Sequence, residues 1–231
     1  MRRLTTFFKG HWQLTLLCAL VFVLWPSDLV YPLRLLIVFL HELSHAIATI
    51  LTGGSVVDFS VNAHEGGHVM SRGGNRFITL SAGYVGSLLI GITLLLTAVR
   101  TRLDRTALAT LGAAMLLVTL LYIREPFAIG FCAPTGTLML LTARYLPHDI
   151  NDLVLRIIGL TSMIYVPYDI FSDTIARAHL RSDARMLAEE IGGTTTFWGL
   201  LWLAISLAAI FTSLRYGLGA NSNVQIRLRR G

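Results

Sequence analysis

Long apolar runs separated by short polar breaks follow one another along the chain, at residues 12–25, 30–51, 77–99, 106–123, 127–146, 153 to about 170, and 197–214. Runs of about 20 apolar residues cross a bilayer as helices, because a helix satisfies its own backbone polar groups where no water can. The pattern predicts an all-α polytopic membrane protein, a bundle of about six to seven transmembrane helices in a single domain over residues 1–231. The first run is short for a span and is bracketed by Trp12 and Trp25, as interfacial anchors would be. No small-residue cleavage site precedes Pro26, so this run reads as an uncleaved helix.

Two stretches break the helical rhythm. After Gly53 and Gly54, Val57, Phe59 and Val61 alternate with polar neighbours, and a second short run from His68 to Arg72 follows Gly66 and Gly67. Alternation of period two bounded by glycines predicts a β-hairpin over about 55–74. Farther on, residues 174–196 carry Arg177, Arg181, Asp183, Arg185, Glu189 and Glu190 and read as a polar surface segment, an exposed helix ending at Gly192 and Gly193. Within the third run, Gly83, Ser87 and Gly91 repeat every fourth residue, a small-residue seam along which another helix can approach closely. Cys132–Pro134 suggests a kink in the fifth run.

Composition agrees. Mean hydropathy is +0.66 and only 14% of residues are charged, against about one quarter in soluble domains. The chain reads as an integral, multi-pass membrane protein, with the cell membrane the expected location. Its net charge of +6 is carried almost wholly by arginine in loops and tails, including Arg2, Arg3, Arg227, Arg229 and Arg230, and anionic lipid headgroups are the expected partner. No aromatic-rich basic face or recognisable module points to nucleic acid. Cys18 and Cys132 both lie in apolar runs, which speaks against a disulfide framework and against thiolate-held zinc.

The candidate chemistry lies in VFLHELSHAIATIL. Ionisable groups at lipid depth are costly and by default functional, and here three fall within five positions. His41 and His45, at i and i+4, share a helix face and can grip one cation. Glu42 is rotated about 100° from His41, where its carboxylate can reach a water on the metal rather than the metal itself. That arrangement makes Glu42 the candidate general base. Imidazole and carboxylate ligands without thiolate fit Zn2+ best. A second formal match, HEGGH at 64–68, falls in the predicted hairpin. Its paired glycines cost roughly 2 kcal/mol of helix propensity, so it reads as a chance match.

A third ligand is sought by position. Asp169 and Asp173 lie at i and i+4 near the end of the sixth run. Counted as seven spans, the second and sixth run in the same direction, and His45 and Asp169 each lie roughly 23 Å into their spans at 1.5 Å per residue. Asp169 is therefore the preferred third ligand, and Asp173 the alternate or supporting carboxylate. Arg34 is expected to snorkel near the outer end of its helix.

HELSH on an early span, the hairpin after it, SAGYVGS opening the next span, PYDIFSD late in the chain and RSDA at 181–184 together resemble the site-2 type intramembrane metalloproteases of peptidase family M50, in its M50B-like branch. The resemblance covers about residues 30–202. It implies His41 and His45 as zinc ligands, Glu42 as catalytic base, an aspartate of PYDIFSD as third ligand, and a hairpin that meets a membrane-anchored protein substrate. Where such proteases carry an AGPxAN-like segment this chain has Tyr84 for the proline and Ser87 for the asparagine, and it lacks their leucine-aspartate-glycine motif. The expected function is zinc-dependent intramembrane endoproteolysis. The competing readings are a membrane metal or ion transporter, which would often show repeated broken helices that are not found here, and an inactive membrane scaffold.

Overall fold

The computed structural model describes residues 2–177 and 181–224; the tail arginines Arg227, Arg229 and Arg230 lie outside the described residues. Eight α-helices follow in order: α1 (Arg2–Leu24), α2 (Tyr31–Leu51), α3 (Arg76–Arg100), α4 (Asp104–Tyr122), α5 (Pro126–Tyr145), α6 (His148–Phe171), α7 (Asp183–Ile191) and α8 (Thr195–Gly217). Between α2 and α3 lies an antiparallel hairpin of β1 (Ser55–Val61) and β2 (Gly67–Arg72). A π-helical turn, Ser172–Ala176, extends α6.

Six helices among the described residues are long and apolar enough to cross a membrane, namely α2 to α6 and α8, and the protein is an integral multi-pass membrane protein. The expected first span is shorter: α1 bends at His11, which leaves the helical region at φ −134°, and its apolar part covers Phe8–Leu24. The bend is held by the C-terminal segment, where Ser222 N donates to Gly10 O at 2.9 Å and Ser222 Oγ lies 2.7 Å from His11 Nδ1.

Local chemistry sets the element ends. Pro32 opens α2, and Gly53 beyond its end takes φ +84°, a conformation other residues rarely adopt. Asn75 caps α3 by accepting from Ile78 N at 3.1 Å, and Ser182 caps α7 by accepting from Arg185 N at 3.3 Å. In the hairpin Phe59 pairs with Val69 and Val61 with Gly67. Phe59 and Val61 are fully buried, with the Phe59 ring 5.2 Å from that of Phe39 on α2.

Helix α2 is the most buried of the six long spans. Its apolar residues from Leu35 to Leu40 are all buried, whereas α8 fully buries only Gly199, Trp202 and Ser206, packs Trp198, Leu203, Ala209 and Ile210 partly against the core, and leaves residues such as Leu200, Leu207 and Phe211 exposed on its outer face. The small-residue seam of α3 meets two different helices. A Cβ at Gly83 would lie 2.4 Å from His41 Nε2, and one at Gly91 would lie 2.3 Å from Ser162 Cβ on α6. Ser162 Oγ also donates to Ser87 O at 2.8 Å. Close approach is thus required at both ends of the seam.

Two expectations need correction. Arg34 does not snorkel outward. Its Nε donates to Glu65 Oε1 at 2.8 Å, its Nη1 donates to the Trp25 carbonyl, and the guanidinium lies 5.9 Å from the Trp25 and Tyr31 ring centres. It therefore ties the hairpin turn to the start of α2, helped by Tyr31 Oη, which donates to Ala63 O at 2.8 Å. The polar segment, expected as an exposed surface helix ending at Gly192 and Gly193, does carry a helix, α7, capped at Gly192, but that helix buries Asp183, Ala184 and Leu187 against the bundle. Its other charged residues include Arg185, bonded to Glu189 at 2.9 Å, and Glu190, bonded to Arg76 of α3 at 2.9 Å.

Candidate metal centre

One helical turn apart on α2, the His41 and His45 rings lie 4.7 Å from each other, and both Nε2 atoms face a single oxygen of Asp183. The separations from Asp183 Oδ2 are 2.9 Å for His41 Nε2 and 3.1 Å for His45 Nε2. Three ligand atoms, one from each side chain, all lie within 4.8 Å of one another. Four-coordinate zinc with bonds of 2.0 to 2.2 Å sets neighbouring ligands about 3.4 Å apart, so small side-chain shifts would bring this group to the ion.

The hydrogen bonding selects what sits between these atoms. His45 Nδ1 donates to the Thr79 carbonyl at 2.7 Å, which can only accept. That bond fixes Nδ1 as the protonated nitrogen and leaves Nε2, in a neutral ring, as a lone pair aimed at a carboxylate oxygen. Two facing acceptors need a cation between them, either a proton or a metal. On Asp183, burial opposes ionisation, but the His45 and His41 rings beside it outweigh burial and hold the carboxyl well below the usual carboxylate range.

Each group is positioned by a different element. Gly83 of α3 lets the two imidazoles lie directly on that helix, with a Cβ there 2.6 Å from the Cε1 atoms of both rings. Tyr84, where an AGPxAN-like segment has proline, is fully buried, with its ring 4.8 Å from that of His41 and its hydroxyl donating to Asp173 Oδ2 at 2.7 Å. On the hairpin side Gly67 abuts Glu42, whose Oε1 would lie 2.8 Å from a Cβ at that position. Glu42 is 6% exposed and forms no hydrogen bond or ion pair among the described residues.

These groups face a cavity of about 1010 Å³ walled by α2, by β2, by the first turns of α3, by the end of α6 and by the start of α7. HEGGH lies on its rim as the turn of the hairpin and the first residues of β2, not on a helix, and His68 Nε2 pairs across the strands with Asp58 Oδ2 at 2.8 Å. Asp169 and Asp173 also line the cavity. The carboxylate brought to the imidazoles, however, is that of Asp183 and not that of the expected Asp169, with Asp173 taken up by Tyr84 and by Arg177 Nη2 at 2.8 Å.

Depth along the spans places Asp169 on the wall of the same cavity, but depth does not fix the direction in which a side chain points around α6. Asp183 does not stand out in the sequence because its charged neighbours mask the narrow inward face of α7. The available signal was the spacing of Ser182, Ala184 and Leu187, a helix cap followed by an apolar pair three residues apart.

The family model described as Peptidase M50B-like matches residues 14–213. No curated protein and no solved structure matches the chain.

Proposed function

The chain belongs to the M50B-like peptidase family, and on that premise we propose that it is a zinc-dependent endopeptidase that cleaves membrane-anchored proteins within or beside their spans. The observation that carries this reading is the convergence of His41 Nε2 and His45 Nε2 on Asp183 Oδ2, with the Glu42 carboxylate, which has no bonded partner among the described residues, one residue along the same helix. In this reading His41, His45 and Asp183 hold the ion. Bound there, zinc supplies Lewis-acid polarisation of the scissile carbonyl and acidifies a water.

The remaining work falls to the chain itself. Glu42 takes the proton of the attacking water and delivers it to the departing amine nitrogen. The Thr79 carbonyl holds the His45 ring in the tautomer that presents Nε2. In a two-stranded sheet one edge of β2 is unpaired, and β2 lines the cavity. An unwound substrate segment added to that edge would present its amides beside Glu42, and unwinding is needed because helical carbonyls are tied up in their own bonds.

The test is the Glu42→Gln variant of the full chain, purified in detergent and compared with the parent for zinc content and for cleavage of membrane-anchored reporter proteins. It is expected to keep about one zinc per chain, as a structural ligand set allows, while cleavage falls by about a hundredfold or more. Cleavage at the parental rate by that variant would overturn the mechanism.

A further inference from the structure

One carboxylate in the cavity is used neither by the metal group nor by the bundle. Asp169 lines the same cavity as His41, Glu42 and Asp183. It forms no hydrogen bond or ion pair among the described residues. Asp173, one turn farther along, is engaged twice, by Tyr84 Oη at 2.7 Å and by Arg177 Nη2 at 2.8 Å. Two carboxylates one turn apart therefore share a single guanidinium, and it bonds only the outer one.

Among the described residues, no other cationic group at the cavity forms a hydrogen bond or ion pair with Asp169. Arg76 is held by Glu190 at 2.9 Å. Arg181 lies at the exposed rim. His41 and His45 both turn their Nε2 atoms to Asp183. Arg177 acts on Asp169 only from a distance, without a hydrogen bond or ion pair, and a carboxylate at the end of a membrane span without a bonded partner has room for a counter-charge that arrives from outside.

We propose that Asp169 is a specificity-determining residue that pairs with a lysine or arginine side chain next to the scissile peptide bond of the substrate. The proposal rests on the endopeptidase reading and narrows it to a substrate class. Basic residues flank the ends of membrane spans far more often than their middles. The chain therefore selects membrane-anchored proteins whose cleavage point lies in the basic border of a span.

The test compares lysine hydroxamate with norleucine hydroxamate, two metal-binding probes that differ only in the terminal ammonium, on the zinc-loaded full chain in detergent micelles. The parent is expected to bind the lysine probe about tenfold more tightly, the value of one charged hydrogen bond. Asp169→Asn is expected to bring the two affinities together, with zinc content and norleucine-probe affinity retained, and Asp169→Glu to keep the preference. Equal affinities in the parent would overturn the proposal while leaving the metal centre intact. Loss of zinc from Asp169→Asn would also overturn it, by making Asp169 part of the ion's ligand set. Failure of both probes to bind the zinc-loaded parent would remove the endopeptidase reading and the proposal together.

Discussion

The two ends of α6 hold buried charge in opposite ways. Near its start, Asp152 and Arg156 are each 4% exposed and bonded to each other at 2.8 Å, and Arg156 also donates to the Ser222 carbonyl of the C-terminal segment. Asp104, from α4, lies 2.5 Å from His148 in the same region. Near its end, about 25 Å away at 1.5 Å per residue, Asp169 faces a cavity with no bonded partner among the described residues. Charge at the first end is matched within the chain and fastens helices and tail together. At the second end it is left open on the cavity. Burial alone therefore does not single out a candidate site carboxylate; a place on the cavity wall without a bonded partner among the described residues does.

The largest expected effect separates the two ends by stability. Asp152→Ala strands the Arg156 guanidinium in the interior and should destabilise the protein by about 3–5 kcal/mol, read by unfolding in mixed detergent micelles. Its zinc affinity should be that of the parent, and a loss of zinc would mean that the two ends are not independent. Asp183→Ala should do the reverse. Zinc affinity, measured by competition with a chelator, should fall by more than about a hundredfold, beyond what loss of a supporting partner causes. Parental affinity in that variant would remove Asp183 from the proposed ligand set.

A smaller effect is expected from Gly83→Ala, whose methyl would press on His41 Nε2 from 2.4 Å. It should cost about 1–3 kcal/mol of stability and weaken zinc binding at the same time. A stability loss without any change in zinc affinity would show that α3 adjusts without moving the imidazoles. Smallest of all, Asp169→Asn should leave stability within about 0.5 kcal/mol of the parent. A loss comparable to that of Asp152→Ala would mean that Asp169 fastens the bundle after all.

What could be read from the sequence divides along the same line. The apolar runs, the alternation through Phe59 and Val61, and the HELSH spacing are local patterns, and a local pattern fixes which face of an element is apolar. The six long apolar helices and the hairpin follow from it directly. The identity of the third carboxylate is not local. Asp169 and Asp183 differ in which way their elements turn once α7 packs on α3 and α8, and that packing is decided by Ala184 and Leu187 meeting residues far away in the chain. The inward turn of Arg34 is non-local for the same reason, since its partner Glu65 lies 31 residues on, in a turn whose position depends on the whole hairpin. Gly83 stands between these cases: its spacing signalled close approach, and only the fold shows that imidazoles are what approach.

The separation of 142 residues between His41 and Asp183 also bears on biosynthesis. A nascent chain inserts the helix bearing both imidazoles early, yet the acidic member of the trio leaves the ribosome only after five of the six long spans have been made. Until then the two imidazoles lack the Asp183 carboxylate, so the three-residue group is completed only with the last part of the polypeptide, when most of the surrounding walls are already in place.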